Sequence, residues 1–162
     1  MRKLSTRNVR DEGGFTLIEL LVVILIIGIL AAIAIPALLS QKNKAYDSSA
    51  KTLAQTAQTA METWSTENGG SYLNGTPARL KIIEPSINIS KTNKEAYLKQ
   101  TTGEAGTGNP TAGGYEITVV AANTLDEYSV VHKSTGVVEH KCKSTTGTKT
   151  GCPGRKEASS SW

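Results

Sequence analysis

The stretch that decides the fold is Gly-Gly-Phe-Thr-Leu-Ile-Glu-Leu-Leu, residues 13–21, with the apolar run that continues from it to Leu39. Between Phe15 and Leu39 the only ionisable side chain is that of Glu19. A helix rises about 1.5 Å per residue, so a helix of this length exceeds the roughly 30 Å of hydrocarbon in a bilayer. The sequence therefore predicts a membrane-inserted helix over residues 15–39. A carboxylate near its start is a candidate functional group, because charge is costly in lipid.

The polar residues before the apolar run indicate how the chain is oriented in a membrane. They carry four basic and two acidic side chains, namely Arg2, Lys3, Arg7 and Arg10 with Asp11 and Glu12. Because lysine and arginine stay on the cytoplasmic side, we expect this segment to face inward and the C-terminal bulk to be exported. An ordinary secretory signal peptide is the alternative, but the run exceeds its usual apolar core of about 7–15 residues. The nearest small-residue cluster, residues 31–34, lies inside the run.

Gly14-Phe15-Thr16-Leu17-Ile18-Glu19 resembles the processing site of class III signal peptides, which mark the type IV pilin and pseudopilin family. In that family a prepilin peptidase cuts after the glycine and methylates the new N-terminal residue. The resemblance therefore implies that a leader, residues 1–14, is removed between Gly14 and Phe15. It covers residues 1 to about 64. It also implies assembly roles for Glu19 and for two residues at the family's helix-softening positions, Gly28 and Pro36.

Glu19 has a physical rationale once Phe15 is the N-terminus. Cleavage creates a positive α-amine, and residues i and i+4 lie on the same helix face. The resemblance implies that the carboxylate pairs with the amine of a neighbouring chain, since two charges removed from water are tolerated only when paired. The helix dipole contributes further stabilisation.

Pro36 and Gly28 are expected to soften the apolar helix. Proline removes one helix hydrogen bond and clashes with the carbonyl of Ala32, so a kink or local unwinding is predicted there. Both residue types are also common in ordinary membrane helices. The resemblance favours the alternative that residues 28–36 stretch when subunits pack into a fibre.

After Ser40 the composition turns polar while the helical period continues. Apolar residues recur at spacings of three and four, forming a stripe of Tyr46, Ala50, Leu53, Ala57, Ala60, Met61 and Trp64. Such a stripe is typical of a helix that packs on a core. Asn68-Gly69-Gly70 then ends the helix. Residues 40–68 are therefore predicted to be the amphipathic second half of the same helix.

Residues 69–162 are predicted to form a globular head. Within them, 71–114 are loop-rich: Arg79–Ile83 alternates like a short extended piece, and Thr101–Gly114 is typical of an exposed loop. Alternating polarity over about 115–142 predicts three strands with short connections, an antiparallel meander whose apolar face needs a cover. The amphipathic half-helix is the natural cover. The predicted fold is α+β and pilin-like, a long N-terminal helix packed on a small antiparallel sheet.

Cys142 and Cys152 are the chain's two cysteines. In an exported domain an even number of cysteines favours a disulfide, here closing the polar loop 142–152. A zinc site completed by His132 and His140 is the alternative, although no paired-ligand spacing supports it. A C-terminal disulfide loop also resembles the layout of pilins.

No enzyme motif is present: the sequence lacks a glycine-rich phosphate loop, a nucleophile elbow and a patterned carboxylate pair, and no cofactor is implied. Basic residues do cluster near the C-terminus, at Lys133, Lys141, Lys143, Lys149, Arg155 and Lys156. Weak binding of DNA or another polyanion by this basic C-terminal face is a side hypothesis. A solubilising surface is the alternative, and it suits the modest net charge of +4.

Together these features predict a structural protein, the subunit of a type IV pilus-like surface filament. The resemblance implies a single-pass cytoplasmic membrane protein before assembly and a fimbrium at the cell surface after it. Its partners would be identical subunits, the prepilin peptidase, and an inner-membrane assembly platform with its ATPase. One alternative is a pseudopilin of type II secretion or of a DNA-uptake system. The other is a membrane-anchored binding module that never polymerises.

Overall fold

The computed structural model describes residues 14–91, 95–102, 114–145, 151–152 and 160–162. These residues form two helices, α1 (Leu17–Glu67) and α2 (Pro77–Ile83). They also form five strands, β1 (Tyr97–Thr102), β2 (Tyr115–Val120), β3 (Glu127–His132), β4 (Val138–Lys143) and β5 (Ser160–Ser161). The chain divides into two compact units, Met1–Leu38 and Leu39–Trp162. The predicted leader lies outside the described residues except for Gly14.

The first unit contains the apolar part of α1. Its large side chains are exposed throughout, from Phe15 at 90% to Leu38 at 66%. The most apolar window of α1, 18 residues long, has a mean hydropathy of 3.1, so α1 is long and apolar enough to cross a membrane. The helix is continuous through Pro36, and the local unwinding predicted there is not observed. Helix i→i−4 bonds satisfy the backbone without solvent, as a lipid environment requires.

In the second unit the remainder of α1 presents a narrow buried face. Apart from one adjacent pair, its members recur every three or four residues: Asp47, Ala50, Ala54, Ala57, Ala60, Met61 and Ser65. The predicted stripe is confirmed at its alanines and at Met61, whereas Leu53 and Trp64 are only partly buried. Alanines carry no atoms beyond Cβ, so they add little bulk to this face of the helix. The bulkier residues of the stripe lie at its margins.

The sheet is antiparallel, with strand order β1-β2-β3-β4-β5. Tyr115 pairs with His132 and Val120 with Glu127 in the β2–β3 ladder. Alternate residues point into the core, as the period of two predicts: Tyr115, Ile117 and Val119 on β2, and Tyr128 and Val130 on β3. The α+β fold with a helix-covered meander is thus confirmed, and the three predicted strands are its central part.

Two segments differ from the sequence-based prediction. Thr101 and Thr102 belong to the edge strand β1 instead of a loop, while 103–113 of that predicted loop lie outside the described residues. Residues 77–83 are helical and not extended, because Thr76 caps the helix by accepting a hydrogen bond from the Arg79 amide, and Pro77 occupies the first turn. The brief alternation of residues 79–83 was misleading, since a pattern over so few residues fits the period of a helix as well as that of a strand.

Cys142 and Cys152 form a disulfide with a Cα–Cα separation of 5.7 Å, which confirms the predicted bridge and rules out its zinc alternative. Beside the disulfide lies Asp47, fully buried on α1. Its Oδ2 accepts a 2.6 Å hydrogen bond from the Gly151 amide, and its Oδ1 accepts one of 2.6 Å from the Thr124 hydroxyl. This carboxylate therefore joins α1 to the β2–β3 turn and to the disulfide.

Gly151 and Lys51 complete this junction. A Cβ on Gly151 would lie 2.9 Å from the Asp47 Cβ, so a side chain there would separate the amide from the carboxylate. Lys51 donates to the Gly151 carbonyl at 3.4 Å, and its Nζ lies 5.5 Å from the centre of the Tyr128 ring. Burial and the Asp47 and Asp126 carboxylates raise the pKa of Tyr128.

We expect Asp47→Ala to destabilise the head by about 2–4 kcal/mol, because it leaves a partly buried amide and a buried hydroxyl without their acceptor. Urea denaturation of the full-length protein in detergent, followed by near-ultraviolet circular dichroism, measures the change. Ser48→Ala is the matched control, since Ser48 is the exposed neighbour on the same helix. Equal unfolding midpoints for the two variants would contradict the role given to Asp47.

Candidate functional site

The start of α1 is the candidate assembly site, and its local structure is a capping box. Thr16 directly precedes the first helical residue, Leu17. Glu19 Oε2 accepts hydrogen bonds from the Thr16 amide at 2.9 Å and from the Thr16 hydroxyl at 2.8 Å. In return the Glu19 amide donates to the Thr16 hydroxyl at 3.3 Å. This is the reciprocal arrangement expected for Thr-x-x-Glu at a helix N-terminus.

The capping box shows a role of Glu19 that sequence reasoning missed. The signal was present as Thr16-Leu17-Ile18-Glu19, a Thr followed three residues later by Glu just before an apolar run. In the structure the carboxylate already stabilises the beginning of its own helix. Both side-chain hydrogen bonds go to the same oxygen, Oε2. A carboxylate held in this way is oriented before any partner arrives.

Phe15 and Gly14 precede the capping box and are both exposed. A Cβ placed on Gly14 would meet nothing within 4 Å. The peptide bond between these two residues therefore lies in an open segment immediately before the helix. An exposed extended segment is what a peptidase requires of its substrate.

A shallow groove lies on the apolar surface of the first unit. It is lined by Leu21, Ile24, Leu25, Gly28, Ile29 and Ala32. At Gly28 a Cβ would meet nothing within 4 Å, so the missing side chain leaves room that another apolar residue could fill. Small residues on a lipid-facing helix allow a second helix to approach closely. Of the predicted assembly residues, the groove includes Gly28.

The basic face of the head is only partly described, since Lys149, Arg155 and Lys156 lie outside the described residues. Among its other members, Lys133 and Lys141 both pair with Glu139, the latter at 3.0 Å. Their hydrogen bonds lower the pKa of the Glu139 carboxyl. Two lysines share one carboxylate, so their charge is only partly compensated, and Lys143 adds a further exposed lysine. Binding of a polyanion by this face stays a hypothesis.

The two histidines pack on aromatic rings. His132 stacks on Tyr115 with ring centres 5.2 Å apart, and His140 stacks on Trp162 at 4.7 Å. In the described part of the chain, no group of three or more His, Cys, Asp or Glu side chains is arranged to hold a metal ion.

Comparison with known proteins identifies the same N-terminal segment. A family model described as the prokaryotic N-terminal methylation motif matches residues 9–35. No solved structure matches the chain significantly.

Relatives of two kinds are similar to the chain. The type II secretion system core protein G of Pseudomonas aeruginosa is 33% identical over 93 residues, covering 56% of this chain and 66% of that protein. The type IV major pilin protein PilE of Neisseria gonorrhoeae is 32% identical over 107 residues, covering 55% and 64%. A fimbrial protein of Moraxella nonliquefaciens is 50% identical over 64 residues, covering 40% and 41%.

The chain thus spans less than two thirds of the length of these relatives. This chain carries the methylation motif and an apolar helix that follows it, on an α+β fold with a disulfide. Since the matching family model and the relatives of both kinds point the same way, the chain belongs to the type IV pilin and pseudopilin family.

Proposed function

We propose that this protein is the structural subunit of a type IV pilus-like surface filament. The observation that carries the proposal is the apolar part of α1, whose large side chains are exposed from Leu17 to Leu39. About 25 cal/mol is gained for each Å² of apolar surface removed from water, so such a surface needs lipid or other helices around it. A subunit that moves from a membrane into a bundle of identical helices has its apolar surface covered at both stages, first by lipid and then by other helices.

The proposed sequence of events begins in the cytoplasmic membrane. The leader, residues 1–14, keeps its basic residues on the inner side while the head, residues 69–162, is exported. A prepilin peptidase then cuts between Gly14 and Phe15 and methylates Phe15. Segments 15–39 and 40–68 remain as one helix, the first part in lipid and the second part covering the sheet. An inner-membrane assembly platform and its ATPase move the subunit into the filament at the cell surface.

Glu19 supplies the charge that sets the position of each new subunit. Cleavage gives the incoming chain a positive amine at Phe15, and the carboxylate of a subunit already in place pairs with it. The capping box holds that carboxylate at the helix start, which reduces the entropy lost on pairing. Gly28 provides room for a neighbouring helix. Pro36 leaves one backbone carbonyl without its helical donor, so residues 28–36 can stretch when subunits pack.

A pseudopilin is the second candidate, favoured by one observation. The type II secretion system core protein G of Pseudomonas aeruginosa matches this chain to about the same extent as the pilin PilE of Neisseria gonorrhoeae, at 33% identity over 93 residues against 32% over 107. A pseudopilin uses the same processing and packing but remains in a short periplasmic assembly. In either role the protein acts structurally and not as an enzyme. The non-polymerising binding module is less favoured because it has no need of Glu19.

We expect protein sheared from cells and pelleted as fibres to begin at N-methylated Phe15, as measured by mass spectrometry of its N-terminal peptide. Processed protein confined to the membrane fraction would favour the pseudopilin. An intact leader, or a cut near Ala34, would contradict the proposed processing.

We expect Glu19→Ala to give processed, membrane-bound protein with filament yield reduced at least about tenfold, because breaking a buried ion pair costs about 3–5 kcal/mol. Quantitative immunoblots of sheared and membrane fractions measure the yield. Glu19→Gln separates the two roles of this residue, since glutamine keeps the capping hydrogen bonds and removes the charge. The proposal requires Glu19→Gln to fail as Glu19→Ala does. Normal filaments from Glu19→Gln would show that capping alone is needed.

A further inference from the structure

Three aromatic side chains of the head meet at one end of the sheet. Tyr115 begins β2 and is buried, and it pairs in the ladder with His132 at the end of β3. Tyr72 comes from the segment that follows α1 and is half-buried. The centre of its ring lies 4.7 Å from that of Tyr115 and 5.5 Å from that of His132. At these distances the two tyrosine rings are in direct contact, with the imidazole packed against both.

One carboxylate binds the hydroxyl groups of both tyrosines. Glu62 on α1 accepts a 2.8 Å hydrogen bond from the Tyr72 hydroxyl through Oε2. Its Oε1 accepts one of 2.7 Å from the Tyr115 hydroxyl. Because both hydroxyls converge on this side chain, the ring carbons ortho to them lie at the same end of the pair. Burial and the Glu62 carboxylate raise the pKa of both tyrosines, so both phenols keep their protons at neutral pH.

This geometry suits one-electron oxidation of the two rings. A phenol that loses an electron becomes strongly acidic, so its hydroxyl proton has to leave with the electron. A carboxylate already hydrogen-bonded to the hydroxyl is placed to accept that proton, as a general base is. Glu62 is half-buried and can pass the proton on to water. Oxidised rings held in contact combine readily, because proximity replaces a bimolecular encounter.

We propose that Tyr72 and Tyr115 form a site of dityrosine cross-linking, with Glu62 as the proton acceptor. Each ring gives one electron to a one-electron oxidant, such as the haem oxidant that a peroxidase makes from hydrogen peroxide, and its hydroxyl proton to Glu62. A carbon–carbon bond then forms between the two ortho carbons. The hydrogens on those carbons move to the ring oxygens and restore both hydroxyls. The pair loses two hydrogen atoms in all, and one hydrogen peroxide becomes two water molecules.

The cross-linked head has a second covalent link, at the other end of β3 from the disulfide. Cys142 pairs with Tyr128 near the start of β3, whereas Tyr115 pairs with His132 at its end. The new bond closes residues 72–115, which contain α2 and β1. A disulfide is typical of a protein in an oxidising compartment, where such oxidants occur. The inference holds for a pilus subunit and for a pseudopilin alike.

The test uses the full-length protein in detergent, kept dilute so that separate chains seldom meet. A light-activated ruthenium complex with persulfate removes single electrons from it. Dityrosine fluorescence measures the yield, and mass spectrometry of proteolytic peptides locates the link. Tyr72→Phe removes one partner at a half-buried position. Tyr97→Phe is the matched control, because Tyr97 is also half-buried but pairs with Val120, at the opposite end of β2 from Tyr115.

We expect the unchanged protein and Tyr97→Phe to give a peptide pair that joins Tyr72 to Tyr115 and is lighter by two hydrogen atoms. Tyr72→Phe should give at least about fivefold less dityrosine, since the remaining tyrosines lack this proximity. Full yield from Tyr72→Phe would overturn the inference. Links that join Tyr72 to a second chain, in place of Tyr115, would overturn it as well.

Glu62→Gln tests the proton acceptor. Glutamine keeps a hydrogen-bonding side chain between the two hydroxyls but is not a base, so we expect at least about fivefold less dityrosine at a temperature where near-ultraviolet circular dichroism shows the variant folded. An unchanged yield would show that the carboxylate takes no part.

The purified cross-linked protein provides a further check. Closing residues 72–115 restricts the unfolded chain, so we expect its thermal unfolding midpoint to rise by at least about 5 °C over that of the untreated protein. An equal midpoint would show that the link does not stabilise the head.

Discussion

The constraint on which the structure depends is that one helix must satisfy two environments. Apart from the carbonyl that Pro36 leaves without a donor and the groups at its two ends, the backbone of α1 forms its own hydrogen bonds from Leu17 to Glu67, so almost none of the helix needs water for its peptide groups. What changes along it is the side chains: large aliphatic residues up to Leu39, then an alanine face that the sheet covers. The head can therefore fold completely while the apolar part of α1 stays available for lipid or for other helices.

Within the head, polar side chains fix the arrangement of segments that apolar contacts alone would leave free. The covering face of α1 is made mainly of alanines, whose small side chains give the helix few features that would fix its position. Asp47 adds the missing specificity, because its two oxygens each bind a different segment. A buried carboxylate is costly in itself. Here two hydrogen bonds offset that cost, and they hold the β2–β3 turn and Gly151 against the helix.

Glu19 shows how a single side chain can serve two stages. In the isolated chain it caps its own helix through Thr16, and in the proposed filament it also pairs with a neighbouring amine. The two roles are compatible because the capping bonds use a carboxylate oxygen without neutralising its charge. Preorganisation of this kind favours a partner with the opposite charge over one without it.

The family, the long helix and its division near residue 39 could be predicted from the sequence, because helical period and hydropathy are local properties that the chain carries wherever it folds. The disulfide was also predictable, since the chain has two cysteines and its head was expected to be exported. The cleavage site, Gly28 and Pro36 were likewise identified from local patterns, and their roles remain proposals. The capping box could have been found, because Thr16 and Glu19 have the diagnostic spacing.

Only the tertiary structure decided the rest. It showed that residues 97–102 form an edge strand, since a short segment with a weak pattern takes the conformation that its neighbours stabilise. The helix at residues 77–83, in contrast, begins at a local signal, Thr76-Pro77, that the sequence analysis missed. Asp47, Thr124 and Gly151 are far apart in sequence, and no local pattern relates them. The two tyrosines that Glu62 binds also come from separate segments. Contacts between distant segments depend on the whole fold, and the sequence alone determined only what each segment could do by itself.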